Sequence, residues 1–203
     1  MSANDRQGFL RRGLLLEYAT LGWNVVGVVI LAFAAYAARS VALAGFGLDS
    51  LIEIFASVVV VWHLLGIRLD RERTALRLIG IAFVLLVVYI ASQLAYTVLA
   101  RIHPAASAGG IGWTAATFVA MLLLAHGKRV TGERLGNEVL RTESRVTLVD
   151  AYLAGAVLIG LALNALAGWW WADPLASLII VYYGIREARH ALHESAAAVS
   201  PGP

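Results

Sequence analysis

Long apolar stretches alternate with short polar ones along the whole chain. Six of the apolar stretches approach the roughly 20 residues that a helix needs to cross a bilayer. They cover residues 13–35, 41–66, 76–100, 109–126, 146–168 and 172–188. Because the bilayer core offers the backbone no water, each span must make its hydrogen bonds internally, as a helix does. The pattern predicts an all-α membrane protein, a bundle of six transmembrane helices.

The basic residues gather on one side of these spans. Of the 16 lysines and arginines, only Arg39 and Arg101 lie in the three connections of one side. The other 14 flank the spans on the opposite side: Arg6, Arg11, Arg12, Arg68, Arg71, Arg73, Arg77, Lys128, Arg129, Arg134, Arg141, Arg145, Arg186 and Arg189. Such residues accumulate in cytoplasmic loops. We therefore expect both termini in the cytoplasm and attribute the net charge of +3 to these loops, with no nucleic acid as partner.

Composition narrows the chemistry. The chain has 203 residues, of which 60% are hydrophobic and 14% charged, and it has no cysteine, so disulfides and thiolate chemistry are excluded. No H-E-x-x-H or G-x-S-x-G motif is present, and an enzyme is not expected. We expect a cytoplasmic segment at 1–12, the membrane domain at 13–190 and a short cytoplasmic tail at 191–203, with the protein in the plasma (inner) membrane.

Two carboxylates interrupt the second apolar segment. Asp49 and Glu53 are four residues apart and so share one face of a helix. Buried carboxylates this close repel each other unless a proton or a cation lies between them. Asp150 in the fifth segment supplies a third carboxylate, and three such groups suit a hard or borderline divalent metal ion. A protonated, purely structural role for these groups is the alternative interpretation.

Other polar residues in the apolar segments are weaker candidates for a metal site. Asn24 in the first segment is either a site residue or a hydrogen-bonding contact between helices. We expect Glu17 to reach the inner interface as a snorkelling or capping residue, and Glu143 to lie at that interface on an access path. His63 is expected at the solvated interface. Asp173 is expected to cap the sixth helix, just before Pro174.

Helix geometry gives a rough depth for each carboxylate. Counting inward from the outer end of each segment at 1.5 Å per residue, Asp49 lies about 12 Å deep, Glu53 about 18 Å and Asp150 about 28 Å. The counts place Asp150 nearer Glu53 than Asp49, with an offset between Glu53 and Asp150 that only tilt or misplaced segment ends would remove.

The acidic "DSLIE" of the second segment and "VDAYLAGAVLIGLALNALAGWWWADPLASLII" across the fifth and sixth resemble the cation diffusion facilitator family. The resemblance covers nearly the whole chain. It implies a homodimeric secondary transporter that exports a divalent metal such as zinc, manganese, iron or cobalt in exchange for protons. It also implies a metal site with two acidic residues from helix two, here Asp49 and Glu53, and commonly a histidine and an aspartate from helix five.

The chain departs from the family pattern in two ways. The aspartate of helix five falls on Asp150, but the histidine position falls on Val146, which cannot ligate a metal. Asn24, Thr147 or water are the candidates for the missing ligand, and loss of an imidazole favours metals that prefer oxygen. The family's cytoplasmic metal-binding domain after helix six and its histidine-rich loop are not expected here, so a dimer would pair through membrane helices.

The sequence therefore predicts a transporter in which Asp49, Glu53, Asp150 and Asn24 bind the metal. Two alternatives stay open. A transport-inactive scaffold or regulatory subunit with the same membrane fold would explain the absent histidine. An intramembrane enzyme with paired carboxylates as acid and base is the weaker alternative, since no nucleophile with a base is evident.

Overall fold

Over the residues that the computed structural model describes, 3–65 and 72–197, the regular secondary structure is all helical, and no strand occurs in those ranges. The helices are α1 (Ala3–Ala38), α2 (Val41–Leu64), α3 (Glu72–Leu99), α4 (Ala108–Leu135), α5 (Glu138–Ala167) and α6 (Ala172–Ala197). Each predicted segment is helical, so the all-α prediction is confirmed. Residues 1–2, 66–71 and 198–203 lie outside the described residues, and with them Arg68, Arg71 and the end of the predicted tail.

Five of the helices, α1 to α5, contain stretches long and apolar enough to cross a membrane. Helix α6 is more polar and does not reach that criterion within the described residues. Large apolar side chains face outward, including Leu99, Tyr36 and Leu166, which are 83%, 88% and 89% exposed. Exposed apolar surface of this extent is what lipid contact requires, and the chain is a multi-pass helical membrane protein.

Three helix connections meet at one end of the bundle. The Ala105 backbone N–H donates to the Ala38 carbonyl at 2.8 Å, which joins the α3–α4 and α1–α2 connections. The Asn164 side chain at the end of α5 donates to the Pro104 carbonyl, also at 2.8 Å. The α5–α6 connection holds Trp169–Trp171, and we call this the tryptophan end. The opposite end, which carries the start of α1 and the α4–α5 turn, is the arginine end.

At the arginine end the α4–α5 turn is shorter than expected. Gly136 closes α4 with φ of +61°, a left-handed conformation that glycine adopts at low cost. Asn137 then caps α5, its side chain accepting from the Leu140 N–H at 2.9 Å. The segment expected to be a long charged connection is thus helical on both sides of a two-residue turn.

Helix α2 lies centrally in the bundle, in contact with α1, α3, α5 and α6. The main core joins α1, α2, α5 and α6 through fully buried side chains such as Leu31, Phe46, Val157 and Ile180. Polar groups on α2 therefore face other helices rather than lipid, which is the condition for an internal site.

Asp173 caps a different helix from the one expected. It lies inside the first turn of α6, fully buried, and its carboxylate accepts from the Ser40 hydroxyl and from the backbone N–H groups of Val41 and Ala42. These are the first N–H groups of α2, so the negative charge also complements the helix dipole there. The prediction that Asp173 caps α6 was wrong, because the first turn of α2 packs against that of α6. Pro174 does lie in the first turn of α6, as predicted.

Asp173→Ala is expected to lower the unfolding free energy by about 2–3 kcal/mol, since it removes hydrogen bonds between a buried charged group and a helix start. Thermal unfolding of the detergent-purified protein, followed by tryptophan fluorescence, measures the change. Glu133→Ala is the matched control, because that exposed carboxylate pairs with Arg129 on the surface. Equal unfolding temperatures for the two variants would contradict the capping role.

Candidate metal centre

Polar side chains form a buried column on each of three neighbouring helices. Within each column the residues are three or four positions apart, so they share one helix face. All are at most 9% exposed: Glu17, Thr20 and Asn24 on α1, Asp49, Glu53 and Ser57 on α2, and Glu143, Thr147 and Asp150 on α5. Because α2 contacts both α1 and α5, the three columns form one polar seam inside an apolar bundle.

The offset in depth between Glu53 and Asp150 disappears in the structure. Helix α5 extends past the start of α6, and its Gly160 lies beside Ala172, where an added Cβ would come within 3.0 Å of the Ala172 carbonyl oxygen. Ala172 precedes Asp173, which binds the first turn of α2, so Gly160 and Val41 lie at similar levels. From these levels, Asp150 is about 15 Å and Glu53 about 18 Å toward the arginine end at 1.5 Å per residue.

Asn24 contacts the predicted centre directly. Its Nδ2 donates to Glu53 Oε2 at 3.0 Å, in a hydrogen bond between two buried side chains. The structure therefore brings Asn24 to Glu53. As a donor to a carboxylate oxygen it positions Glu53, and its amide oxygen is the atom that could ligate a metal.

Glu53 and Asp150 both have carboxylate oxygens without a hydrogen-bond donor among the described residues. Among the described residues, no donor reaches Glu53 Oε1 or either carboxylate oxygen of Asp150, and these atoms are buried. The two carboxyl groups interact electrostatically with each other, and Asp49 acts on both. Two ionised carboxylates only accept hydrogen bonds. A proton or a cation between them is therefore the group that the arrangement lacks.

The predicted ligands do not form a closed coordination shell. Within 3–65 and 72–197, no three histidine, aspartate or glutamate side chains are placed so that they could hold one ion together. Val146, half-buried on α5 one turn from Asp150, offers no donor atom. The assignment of Asp49, Glu53, Asp150 and Asn24 as ligands stays a prediction, with the pair of Glu53 and Asp150 as its strongest part.

A second polar cluster lies next to this centre, around Lys128. The Lys128 ammonium is fully buried and donates to Glu17 Oε2 at 3.1 Å, to Glu143 Oε1 at 3.3 Å and to Thr147 Oγ1 at 3.1 Å. We call Lys128, Glu17, Glu143 and Thr147 the lysine cluster. It corrects two expectations, since Lys128 is not a loop charge and Glu17 does not snorkel. Glu143, expected at the inner interface, is buried in the bundle beside Lys128. His63 cannot be placed, since its side chain lies outside the described residues.

A signal for Lys128 is present in the sequence. Seven of the nine buried positions of α4 recur every three or four residues, as one face of a helix does: Gly110, Thr114, Thr117, Met121, Ala125, Lys128 and Thr131. Ending the fourth span at residue 126, where charged residues begin, excluded Lys128 from this face. Continuing the spacing past His126 would have placed it inside the bundle.

Comparison with known proteins assigns no family. No model of a known protein family matches the chain, and a search of curated proteins finds no significant match. The resemblance to cation diffusion facilitators rests on the residues quoted above.

Proposed function

We propose that the chain is a secondary transporter that exports a divalent metal cation from the cytoplasm in exchange for protons. The observation that supports this most is the pair of buried carboxylates on α2 and α5, Glu53 and Asp150, since three of their four oxygen atoms lack hydrogen-bond donors among the described residues. Ionisable groups inside spanning helices are costly and commonly mark ion pathways.

The same pair explains how metal and proton transport would be coupled. A divalent cation neutralises two carboxylates, and so do protons bound to them, but both cannot occupy the pair at once. Metal binding therefore releases protons, and protons entering from the other side release the metal. Exchange follows if the bundle exposes the pair alternately to each side, as rocking helices do in other secondary transporters.

The ligands available suit ions that accept oxygen donors. Asn24 is hydrogen-bonded to Glu53, and Asp49 precedes Glu53 by one turn of α2. These two residues would complete the coordination together with water or Thr147. Without an imidazole at position 146, manganese, iron and cobalt are favoured over zinc as cargo.

The proposal includes six spans, cytoplasmic termini, a homodimer and a location in the plasma or inner membrane. The support for the orientation is the positive-inside bias together with the position of Arg129, Arg134 and Arg141 at the arginine end. The outward-facing apolar side chains on every helix leave surface for lipid and for a second copy.

Uptake into liposomes tests the proposal. Purified protein is reconstituted around a metal-sensitive dye, the lumen is made more acidic than the bath, and Zn²⁺, Mn²⁺, Fe²⁺ or Co²⁺ is added outside. We expect uptake of at least one metal above that of protein-free vesicles, and loss of most of it when an ionophore collapses the pH gradient. No uptake of any of the four would refute the proposal.

A scaffold or regulatory subunit is the second candidate, and one observation favours it: no group of three metal-binding side chains is assembled in the part of the chain that is described. It predicts no flux from the protein alone and recovery of flux with a second subunit. Co-reconstitution with detergent-solubilised host membrane proteins separates the two candidates.

Val146→His is expected to raise the affinity for Zn²⁺ by at least about tenfold, or about 1.4 kcal/mol, and to shift selectivity toward zinc. The imidazole would lie four residues before Asp150, so both side chains share one helix face. Leu148→His is the control, because position 148 is two residues after 146 and its side chain therefore points about 200° round the helix from that position. Calorimetric titration with Zn²⁺ and Mn²⁺ measures both, and an equal gain in the two variants would show that position 146 does not face the centre.

A further inference from the structure

Lys128 is an ammonium group in an interior that otherwise favours apolar side chains. It is 0% exposed, and its neighbours on the buried face of α4 are small residues such as Ala125 and Thr131. An ion leaves water at a large cost in free energy, which only close partners of opposite charge offset. The contacts of Lys128 therefore show which groups in this part of the seam stabilise a positive charge.

Oxygen atoms from two helices surround the ammonium. Glu17 on α1 and Glu143 and Thr147 on α5 accept from it at 3.1, 3.3 and 3.1 Å. The Ser57 hydroxyl on α2 donates to Glu143 at 3.5 Å and also approaches Glu17. Carboxylate and hydroxyl oxygens are the ligands that cation sites in proteins use. Here the cation that they bind is the ammonium group of Lys128.

The ammonium does not fully satisfy this site. A single ammonium can balance the charge of only one of the two carboxylates that face it. Glu17 Oε1 is buried and has no hydrogen-bond partner among the described residues, although the other oxygen of the same carboxylate binds Lys128. A divalent cation would neutralise both carboxylates, which a single ammonium cannot do.

The site lies one helical turn from the candidate metal centre, on the side of the arginine end. On α2, Ser57 follows Glu53 by four residues, and on α5, Thr147 precedes Asp150 by three. Lys128 also acts electrostatically on Glu53 and Asp150. An ion that moves along the seam from the arginine end would meet the lysine cluster before it reaches Glu53 and Asp150.

We propose that Glu17, Glu143 and Thr147 form a second binding site for a divalent cation, which the Lys128 ammonium occupies until a metal ion displaces it. The identity of the cation as transported cargo rests on the proposed function. The existence of the site rests on the lysine cluster alone. Lys128 is then a tethered competitor that balances part of the charge of Glu17 and Glu143 when no metal is present.

Displacement is compatible with the side chains involved. The ammonium contacts are about 1 Å longer than bonds of small divalent cations to oxygen, and the glutamates have three side-chain torsions each with which to close that gap. Lysine carries its charge on a flexible four-carbon stem, so the ammonium can withdraw without a movement of α4.

Metal-binding stoichiometry tests the second site. Mn²⁺ and Co²⁺ are titrated calorimetrically into detergent-purified parent protein, Lys128→Met, and K128M/E17Q/E143Q. Methionine keeps the length of the side chain and removes its charge. The triple variant is the matched control, since it lacks the same ammonium but also lacks both carboxylates.

We expect Lys128→Met to bind one more metal ion per chain with high affinity than the parent, in which the same site fills only at higher metal concentrations because the ion must first displace the ammonium. The K128M/E17Q/E143Q variant should lose that ion. In K128M/E53Q/D150N the additional high-affinity ion should persist, which separates this inference from the proposed function: if the parent binds no metal with high affinity but Lys128→Met binds one ion, the transport proposal fails and the second site stands. Equal numbers of high-affinity ions in parent and Lys128→Met, or an additional ion that survives in K128M/E17Q/E143Q, overturns the inference.

If Lys128→Met aggregates in metal-free buffer, size-exclusion chromatography after purification in Mn²⁺ gives the answer. Recovery of a monodisperse protein with Mn²⁺ but not without it supports the second site. Aggregation in both conditions, with a monodisperse triple variant, overturns it.

Discussion

Asp150→Asn and Glu53→Gln are each expected to lower metal uptake into proteoliposomes by at least about 100-fold. Residues that merely contact metal ligands already change metal affinity by about 10–100-fold, and these two supply the carboxylates themselves. Both substitutions preserve side-chain size and buried polar character, so the bundle should still assemble. The loss would therefore be one of charge, which is what a divalent cation at this pair requires.

Glu133→Gln is the control for this first effect, because it removes a carboxylate that is exposed on α4 and paired with Arg129 at the surface. Its uptake rate should match that of the parent. Asn24→Ala should give an intermediate loss, since it removes the hydrogen bond to Glu53 but neither carboxylate. Uptake by Asp150→Asn at the parental rate would show that the pair is structural.

Lys128→Met is expected to destabilise the metal-free protein by about 3–5 kcal/mol, because removing one partner of a buried ion pair leaves the other charge uncompensated. Here two carboxylates, Glu17 and Glu143, lose their shared ammonium at once. Unfolding in mixed micelles by increasing amounts of a denaturing detergent, followed by circular dichroism, measures the change.

The K128M/E17Q/E143Q variant should recover most of that stability, since replacing a whole buried ionic group is often nearly neutral. Arg129→Met, next to Lys128 in sequence but 72% exposed, should have little effect. A loss in the triple variant as large as that in Lys128→Met would mean that packing of the lysine stem, rather than charge compensation, holds this region together.

The helical architecture could be predicted from the sequence because it depends on a local property. Apolar stretches of membrane-spanning length must be helical wherever they lie, and all six were. The ends of the spans were predicted from the first charged residues, and this prediction was wrong at the arginine end. The charged and polar residues at the end of α4 and the start of α5 continue these helices, because the tight turn at Gly136 and Asn137 lets both helices extend beyond their apolar parts.

The candidate site could be predicted only where it depends on a single helix. Asp49 and Glu53 are one turn apart on a single helix, so their proximity follows from the sequence. The contact of Asp150 with Glu53 depends on how α2 and α5 are offset. That offset is set by Asp173 holding the first turn of α2 and by Gly160 allowing α6 to approach α5, two contacts that join residues distant in sequence.

The lysine cluster was missed because each of its members is ordinary by itself. Glu17 and Glu143 lie near the ends of apolar segments, where charged residues usually reach water. Only the bundle shows that the same level of α1, α4 and α5 brings them together around one ammonium. Charge compensation between helices is a tertiary property, and no spacing within a single segment reveals it.

Proton release on metal binding tests the central claim most directly. Mn²⁺ is titrated into purified protein in two buffers of different ionisation enthalpy, and the difference in heat gives the number of protons released per ion. We predict one ion bound with Glu53 and Asp150 and at least one proton released, and loss of that ion and of its proton release in E53Q/D150N. Binding that is unchanged in E53Q/D150N, or that releases no proton in the parent, would contradict the account.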